Sequence, residues 1–332
     1  MLHEIGWAEK KSLQGRLIDG RYHGLAAVPF VESSGSGKEN VRVIVEDDGC
    51  VTVYVGSSVL GQGLETTLAQ VAADTLKLPF ERVRILHGST TYVREGFGTF
   101  ASRSMVVGGS AVMDGCSNLV AAISTAATKR FGLPNEEITI ADGIVSAGAK
   151  HASFAEFAGL EAEGTFATTI RTYSYGAHAC HVAVDPRTGH VDILDYVAIE
   201  DVGRAINPHI VHGQAIGALV QGLGGVFLDQ IIYDDDAQIL NTSLADYLLP
   251  IACDFPNVRA ITMELRRSKT NPLGAKGAGE GGMVAVAATA ANAVAAALAP
   301  LGVTLCELPL SPSHMWKLVN GCGGGQMNYR KG

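Results

Sequence analysis

A glycine-rich loop that leads into an apolar helix constrains the fold of this chain more than any other feature. Residues 271–282 read NPLGAKGAGEGG and hold five glycines between positions 274 and 282. Glycine lets a backbone turn tightly and lets a ligand approach it closely. The next residues, 283–299, read MVAVAATAANAVAAALA, with ten alanines in 17 positions. This composition predicts a helix that is packed on most of its sides, with the loop at its start.

Glu280 is the one carboxylate of this loop. The first turn of the helix that follows offers unpaired N–H groups and a partial positive charge. A partly dehydrated carboxylate in such a place has a raised pKa and can act as a base near neutral pH. Alternatively, Glu280 only complements the helix dipole. The segment by itself leaves both interpretations open.

The composition indicates a globular protein and argues against nucleic-acid binding, iron–sulfur sites and structural zinc sites. Of the 332 residues, 47% are hydrophobic and 17% are charged, which favours burial over solvation. The net charge of −8 provides no broad cationic face, so nucleic acid is not an expected partner. The six cysteines include no CxxC pair, whereas iron–sulfur and structural zinc sites usually have clustered cysteines.

The N-terminal residues predict a cytoplasmic location. They read MLHEIGWAEKKSLQGR and lack the cationic start and apolar run of a secretory signal, so free thiols are expected. The alanine-rich helix is the only candidate for a membrane span that the sequence suggests. Because it is short and contains Thr289 and Asn292, we expect it to be buried in protein and predict no membrane span.

Strands and helices recur in a similar order in the two halves of the chain. β-rich runs at 41–46 and 51–56 form a predicted hairpin, and helices are predicted at 64–76 and 104–130. The second set has strands at 177–184, 190–199 and 258–265, and helices at 209–228 and 283–299. The predicted fold is α+β, with two related lobes that each contain a mixed sheet packed by helices. The predicted parts are an N-terminal extension (1–22), a first lobe (23–165), a second lobe with the Glu280 loop (166–320) and a flexible tail (321–332).

Glycine-rich turns lead into helices at four places. They lie at 61–63, 98–104, 203–208 and 274–282, and each offers backbone N–H groups to an anion. No Walker lysine motif and no strand-linked GxGxxG accompanies them, which argues against ordinary nucleotide-binding folds. The four turns together favour a long, polar, phosphate-bearing ligand that is held from several sides.

Two glutamines are candidates for ligand contacts. Gln62 lies between Gly61 and Gly63, so its amide can both donate to and accept from a ligand with little hindrance. It can equally hydrogen-bond the backbone of its own turn. Gln221 lies in an apolar helix, where a buried amide needs partners from a neighbouring loop or from a cofactor.

Other polar residues divide into candidate phosphate ligands and structural groups. Ser102, Arg103 and Ser104 can bind phosphate through hydroxyl and guanidinium donors. Alternatively, Ser102 caps the helix and Arg103 pairs with a surface acid. His178 and His181 are three residues apart in a predicted strand and therefore lie on opposite faces, which argues against a shared metal.

Taken together, these segments resemble a known family, the molybdenum-binding subunits of the xanthine dehydrogenase and aldehyde oxidase family. The matching segments are GQGLETTLAQVAADTLKLP (61–79), GFGTFASRSMVVGGSAV (96–112), AIEDVGRAINPHIVHGQAIGALVQGLGGVFLDQ (198–230) and NPLGAKGAGEGG (271–282). The resemblance covers nearly all of residues 20–318. Because these motifs occur together and in the correct order, the combination is highly specific.

The resemblance implies a molybdopterin cofactor with molybdenum, in bacteria often as the cytosine dinucleotide. It implies that Glu280 is the general base when an N-heteroaromatic carbon is hydroxylated, or an aldehyde oxidised, with water as the oxygen source. The metal is held by the pterin dithiolene, so no metal-binding side chains are expected. The cofactor-binding residues implied by the resemblance are Gly61, Gln62, Gly63, Thr99, Ala101, Ser102, Arg103, Ser104, Gln221, Lys276 and Gly277.

The chain departs from the family mainly in its extent. Large subunits of the family are more than twice as long, and this sequence resembles their C-terminal half, beginning near His23. Some relatives, such as nicotinate dehydrogenase, divide the large subunit into two polypeptides, and this chain resembles the smaller one. The expected partners are a larger molybdopterin subunit, an FAD subunit and an iron–sulfur subunit with [2Fe-2S] clusters. Residues 88–90 read GST where the family commonly has Gly-Asp-Thr, which removes an acidic contact.

Two other functions remain open at the level of sequence. In the first, the chain is a noncatalytic subunit, either structural or cofactor-carrying, or a truncated gene product, and its removal from the complex costs only stability. In the second, the chain is a cofactor-free protein that binds another polyanion through the same loops. The intact Glu280 motif and the complete set of loops favour the enzymatic interpretation.

Overall fold

The computed structural model describes residues 1–321 of the chain, apart from the side chain of residue 136. The predicted flexible tail, 321–332, therefore lies outside the described residues except for its first residue. The strands are β1 (Leu17–Ile18), β2 (Arg21–Ser34), β3 (Gly37–Val45), β4 (Val51–Val55), β5 (Val83–Leu86), β6 (Thr139–Ala141), β7 (Ile144–Ala147), β8 (Lys150–Ser153), β9 (Glu161–Thr168), β10 (Thr172–Val184), β11 (Val191–Asp201) and β12 (Val258–Met263). The helices are α1 (Trp7–Lys10), α2 (Leu64–Leu76), α3 (Ser110–Phe131), α4 (Pro208–Phe227), α5 (Gly281–Val284), α6 (Val286–Leu298) and α7 (Pro312–Val319).

Two mixed sheets form the framework, as the α+β prediction required. The larger has the order β1-β2-β10-β11-β12, in which only β11 and β12 are parallel. The smaller has the order β5-β4-β3-β9, in which only β4 and β5 are parallel. A third, antiparallel sheet consists of β6, β7 and β8.

Each of the two mixed sheets is covered by a long helix that approaches it very closely. Helix α6 packs on β2 and β10, and α3 packs on β3 and β9. A Cβ atom at Gly24 of β2 would lie 2.0 Å from the carbonyl oxygen of Ala293, and one at Gly164 of β9 would lie 2.2 Å from the amide nitrogen of Gly115. Glycine at these two strand positions therefore lets helix backbone rest on sheet backbone.

Local sequence signals explain where the helices begin and which face they bury. Asn207 caps α4, since its side chain accepts a hydrogen bond from the backbone amide of Ile210, and Pro208 takes the first helical position. Helix α2 buries Leu64, Leu68 and Leu76 along one side, at intervals of about one and then two helical turns.

The lobes are not continuous in sequence, so one predicted boundary is wrong. The boundary at 23 placed residues 23–34 in the first lobe, but β2 pairs with β10 of the larger sheet along the whole length of that strand, from Tyr22 opposite Val184 to Ser34 opposite Thr172. The smaller sheet is completed by β9 instead. The predicted N-terminal extension also joins the second lobe, because β1 pairs with β2 and Ile5 is fully buried against Val197. Alternation along a strand predicts which face is buried, but not which sheet the strand joins.

Two of the predicted helices differ in detail from the observed ones. The alanine-rich stretch is interrupted at Ala285, which separates the short α5 from α6. The helix predicted from residue 104 begins with a π-helical segment, Ser104–Gly109, before α3. Such π-helical turns are rare and frequently occur at functional sites.

More than one helical stretch is long and apolar enough to cross a membrane. Within the described residues, 104–131, 208–227 and 281–301 satisfy length and composition, so the prediction that the alanine-rich helix is the only candidate is wrong. Helices α3 and α6 pack against the sheets, which accounts for their apolar composition. Helix α4 is the least buried of the three.

Candidate functional site

A cavity of about 480 Å³ lies where four segments of the chain meet. It is lined by residues from 60–67, 99–105, 202–214 and 275–280. These segments include or adjoin the four glycine-rich turns singled out in the sequence. Of the candidate residues, Gly61, Gln62, Thr99, Ala101, Ser102, Arg103, Ser104, Lys276, Gly277 and Glu280 line this cavity.

Glu280 lies on the cavity wall at the start of α5. Its backbone is the N-cap of that helix, but its side chain makes no capping hydrogen bond. Instead, the hydroxyl of Ser102 lies 3.1 Å from Oε2 of Glu280. The side chain is exposed in this chain, so the partial dehydration expected from the sequence is not present. The carboxylate is directed toward the 99–105 loop and makes no hydrogen bond to the first turn of α5. An interaction with the helix dipole therefore does not by itself explain the position of this side chain.

Ser102 connects Glu280 to a buried acid that the sequence analysis did not identify. The Ser102 hydroxyl also lies 2.9 Å from Oε1 of Glu32, which is 8% exposed on β2. Ala101 and Ser102 both have φ of +49°, a left-handed conformation that ordinary side chains rarely adopt. Strain of this kind persists where the surrounding structure enforces it, and it is concentrated at functional sites.

Arg103 is held by the protein itself. It is 1% exposed, and its guanidinium pairs at 3.1 Å with the carboxylate of Glu39, which is fully buried. It also donates to the carbonyl oxygens of Gly98 and Ser36. Of the two interpretations of Arg103, pairing with an acid is the one observed, except that the acid is buried and not at the surface. Arg103 therefore anchors the 99–105 loop to β3, and these donors are committed to protein acceptors.

Thr99 and Ser104 form part of the same loop. Thr99 donates to the carbonyl of Ser58 at 2.6 Å and accepts from the amide of Ser58 at 3.1 Å. The hydroxyl of Ser104 donates to Thr99 Oγ1 at 3.2 Å. This network joins the 99–105 loop to the loop that carries Gln62.

Gln62 stabilises its own turn. Its Oε1 accepts from the amide of Leu60 at 2.6 Å, and its Nε2 donates to the carbonyl of Ser58 at 3.2 Å. The backbone-bonding interpretation of Gln62 is thus observed, although the residue also lines the cavity. Gly63 does not line the cavity; it precedes α2 and faces Ile210, to which its Cβ would come within 2.7 Å.

Lys276 and Gly277 are also engaged with protein groups. Lys276 is buried, its Nζ donates to Asp201 at 3.1 Å, and it lies 4.3 Å from the centre of the Tyr175 ring. The Gly277 amide donates to the hydroxyl of Ser34 at 3.1 Å. Together they attach the Glu280 loop to the larger sheet.

Gln221 differs from the expectation in its burial only, and its role as a cofactor ligand stays a prediction. It is exposed on α4 and does not line the cavity, whereas Gln214, about two helical turns earlier, does. The apolar run 216–227 suggested burial all round, but one side of α4 is uncovered in this chain. Arg204 is a second cavity residue that was missed, and it belongs to no ion pair within residues 1–321.

Two buried acids, Glu32 and Glu200, lie just behind the cavity wall. Burial is the largest effect on the pKa of Glu32 and raises it. Burial likewise raises the pKa of Glu200 to about 7, and the charge of Glu32 adds to this. A sequence signal was available for Glu32 alone, since it alternates with the inward-facing Phe30 and Ser34 of β2, where a charge is unexpected.

Metal-binding side chains do not cluster here. The described residues contain no group of three or more His, Cys, Asp or Glu placed to hold an ion. His178 and His181 are engaged separately, with Tyr196 at 3.0 Å and with His23 at 3.1 Å.

Comparison with known proteins identifies the family. Residues 1–256 match the family described as molybdopterin cofactor-binding domain. The chain is 34% identical to the 6-hydroxypseudooxynicotine dehydrogenase complex subunit gamma of Paenarthrobacter nicotinovorans, over 91% of this chain and 40% of that protein. It is 33% identical to the nicotine 6-hydroxylase large subunit of the same organism, over 91% of this chain and 41% of the relative.

The fold agrees with these matches. The structure of quinoline 2-oxidoreductase from Pseudomonas putida 86 superposes with a TM-score of 0.83 at 32% identity, over 96% of this chain and 44% of that one. The chain thus spans less than half the length of the relatives it matches. It belongs to the molybdopterin-binding subunits of the xanthine dehydrogenase and aldehyde oxidase family.

Proposed function

We propose that this chain is the part of a molybdenum hydroxylase that carries the general base, Glu280. The observation that supports this most directly is the carboxylate of Glu280 on the wall of a cavity framed by four glycine-rich segments and held by Ser102. The reaction is hydroxylation of an N-heteroaromatic carbon or oxidation of an aldehyde, with water as the oxygen source. Nicotine and quinoline in the names of two relatives favour the N-heteroaromatic class.

The residues around the cavity fit a molybdopterin cofactor. Its phosphates need donors and positive charge, which Arg204, Gln214 and the backbone amides of residues 278–280 would supply. Arg103 and Lys276 shape the wall through their buried pairs with Glu39 and Asp201. The cytosine dinucleotide form is part of this proposal, because the resemblance of the sequence to bacterial members of the family implies it.

The chemistry divides between the cofactor and this chain. When bound, the cofactor supplies the molybdenum that takes up two electrons from the substrate. Glu280 accepts the proton that is released when the water-derived oxygen bonds to carbon. Ser102 orients Glu280 for this transfer. An iron–sulfur subunit with [2Fe-2S] clusters and an FAD subunit are the partners that we propose, and they would supply the acceptors for these electrons.

We further propose that a larger molybdopterin subunit covers the apolar face formed by residues 230–251. This segment leaves the end of α4 and returns beside it, where Pro250 lies against Gly224. Its large apolar side chains are exposed, and exposed apolar patches of this extent usually mark an interface. They are Ile231, Ile232, Tyr233, Ile239, Leu240, Leu244, Leu248, Leu249 and Ile251. The relatives carry more than half of their length outside the matched region, so they contain a partner of the size needed to cover it.

The test of the base is Glu280→Gln in the assembled complex. The amide keeps the shape of the side chain but cannot accept a proton, so kcat should fall by about 10²- to 10⁴-fold. Molybdenum content should stay near that of the wild type. Glu163→Gln, on the exposed face of β9, is the matched control and should leave kcat unchanged. Wild-type turnover in Glu280→Gln would refute the role assigned to Glu280.

The remaining functions are separated by elemental analysis. A cofactor-free polyanion-binding protein would co-purify with its partners without molybdenum. A structural subunit would retain molybdenum and lose no turnover in Glu280→Gln. The intact Ser102–Glu280 contact favours the catalytic role, since it directs the carboxylate into the cavity and contributes nothing to the helix cap.

A further inference from the structure

An exposed aromatic ring lies on the wall of the cavity, in the loop that holds Glu280. Phe100 lines the cavity, and its relative exposure is 61%. Two residues further on, the hydroxyl of Ser102 contacts the carboxylate of Glu280 at 3.1 Å. Large apolar side chains that stay exposed in a concave site are typical of ligand contacts. The ring of Phe100 is therefore a candidate contact for whatever Glu280 acts on.

A buried cation holds the Phe100 ring from behind. The guanidinium carbon of Arg103 lies 5.4 Å from the centre of this ring, which is within the range of a cation–π interaction. Arg103 is itself fixed by its buried pair with Glu39. The backbone amide of Arg103 also donates to the carbonyl of Phe100 at 3.2 Å. The ring is thus fastened on the side of Arg103, and its exposed surface faces away from that residue.

Phe97 provides a comparison within the same loop. Its ring centre lies 6.0 Å from the guanidinium carbon of Arg103, and it is 41% exposed. Phe97 does not line the cavity, however, whereas Phe100 does. Covering the buried guanidinium accounts for both rings, but it does not account for the position of Phe100 on the cavity wall.

Leu60 is a second exposed apolar group of this cavity. It is 73% exposed and lines the wall, and its backbone amide donates to Gln62 Oε1 at 2.6 Å. Two hydrogen bonds between Ser58 and Thr99 join the loop of Leu60 to the loop of Phe100. The two connected loops therefore both present an apolar side chain to the cavity.

We propose that Phe100 is a specificity-determining residue that stacks on the planar ring of an N-heteroaromatic substrate. Its ring has no hydrogen-bonding group, so it recognises the flat face of the substrate and not the ring nitrogen. A saturated ring or an aliphatic aldehyde has no such face and gains only contact area. Because the stacking is present both before and during the reaction at carbon, it acts on KM more than on kcat. The inference rests on the proposed function, since it concerns the substrate of Glu280.

The first test compares Phe100→Leu with Phe97→Leu in the assembled complex, with quinoline as the probe. Leucine keeps an apolar side chain but cannot stack, so the dissociation constant of quinoline should rise about 3- to 10-fold in Phe100→Leu. Phe97→Leu alters the other ring beside Arg103 and should bind quinoline like the wild type. Phe100→Tyr keeps the ring and should also do so. Titration calorimetry without an electron acceptor measures the four affinities.

Three outcomes of these titrations would overturn the proposal. Equal weakening in Phe97→Leu and Phe100→Leu would mean that the rings act by covering Arg103. A wild-type complex that does not bind quinoline would leave Phe100 without the proposed partner. Loss of the larger molybdopterin subunit from Phe100→Leu would assign the ring to the interface between subunits.

The second test uses decahydroquinoline, the saturated counterpart of quinoline. This compound cannot stack, so the preference of the complex for quinoline over decahydroquinoline should fall about 3- to 10-fold in Phe100→Leu. With quinoline as substrate, KM should rise by the same factor while kcat stays near that of the wild type. An unchanged preference, or a loss confined to kcat, would contradict a stacking role.

The outcomes also separate this inference from the proposed function. Wild-type affinity for quinoline in Phe100→Leu, together with loss of turnover in Glu280→Gln, rejects the stacking role of Phe100 and leaves the base in place. Wild-type turnover in Glu280→Gln rejects the proposed function, and the quinoline titrations do not depend on that result.

Discussion

At the scale of single residues, His178 links the stability of the fold to pH. It is fully buried, its Nδ1 contacts the hydroxyl of Tyr196, and its Nε2 has no partner in the described residues. Burial lowers its pKa from 6.5 to about 4. The unfolded chain therefore binds a proton below about pH 6.5 that the folded chain takes up only near pH 4.

The folded protein should therefore become less stable as the pH falls. The stability associated with neutral His178 is present above pH 6.5 and is lost as the pH falls toward 4, by up to about 3 kcal/mol. The variant His178→Phe keeps a ring but cannot ionise. Between neutral pH and about pH 4, its free energy of unfolding should therefore fall by up to about 3 kcal/mol less than that of the wild type. Urea unfolding at neutral pH and at about pH 4 measures the difference. His3→Phe, at an exposed position, should behave like the wild type, and equal pH dependence in all three proteins would contradict the prediction.

At the scale of structural elements, the buried pair of Arg103 and Glu39 fastens the 99–105 loop to β3. Glu39 also accepts hydrogen bonds from the hydroxyl of Ser57 and the amide of Asn40. Arg103→Met should destabilise the chain by about 3–5 kcal/mol, because Glu39 would remain buried without its cation. The double variant Arg103→Met/Glu39→Gln should recover much of that loss. Urea midpoints test both statements, and Arg84→Met, from an exposed pair with Asp48, should leave the midpoint near that of the wild type.

The elements were largely predictable from sequence, and their long-range partners were not. Periodicity and turn residues placed the predicted helices and strands within a few residues, because these signals are local, but the strands β2 and β9 were not among those predicted. The contact between Glu32 and Ser174 depends on the register of β2 against β10, over 142 positions of sequence, which no local pattern encodes. The same limit explains why the sequence missed Glu200 and misassigned residues 23–34.

The glycine-rich loops were predictable as a set but not side chain by side chain. Their glycines and the position of Glu280 are visible in the sequence, since they follow from backbone requirements. Whether Arg103 or Lys276 faces a ligand or a buried acid depends on Glu39 and Asp201, which lie far away in the chain. The burial of Gln221 was misjudged because the apolar composition of α4 reflects a face that this chain leaves uncovered.

At the scale of the whole molecule, the uncovered side of α4 and the apolar face of residues 230–251 give a test of the assembly. Leu244 and Leu248 are 78% and 54% exposed, so the double change Leu244→Asp/Leu248→Asp should alter the urea midpoint of the chain very little. It should abolish co-purification with the larger molybdopterin subunit, because two charges would be buried in the interface without partners. Leu17→Asp, at a 57% exposed position on the edge strand β1, is the matched control and should leave co-purification intact.

The result distinguishes two occupants of that face. If the larger subunit still binds the double variant as tightly as the wild type, the assignment of the surface is wrong. A different outcome would assign the face to a second copy of this chain. In that outcome the wild-type chain dimerises on its own, the double variant is monomeric, and the larger subunit binds the wild type and the variant equally. Loss of the larger subunit together with loss of bound molybdenum would connect the interface to the cavity, since Ile210, Val211 and Gln214 of the same helix α4 line its wall.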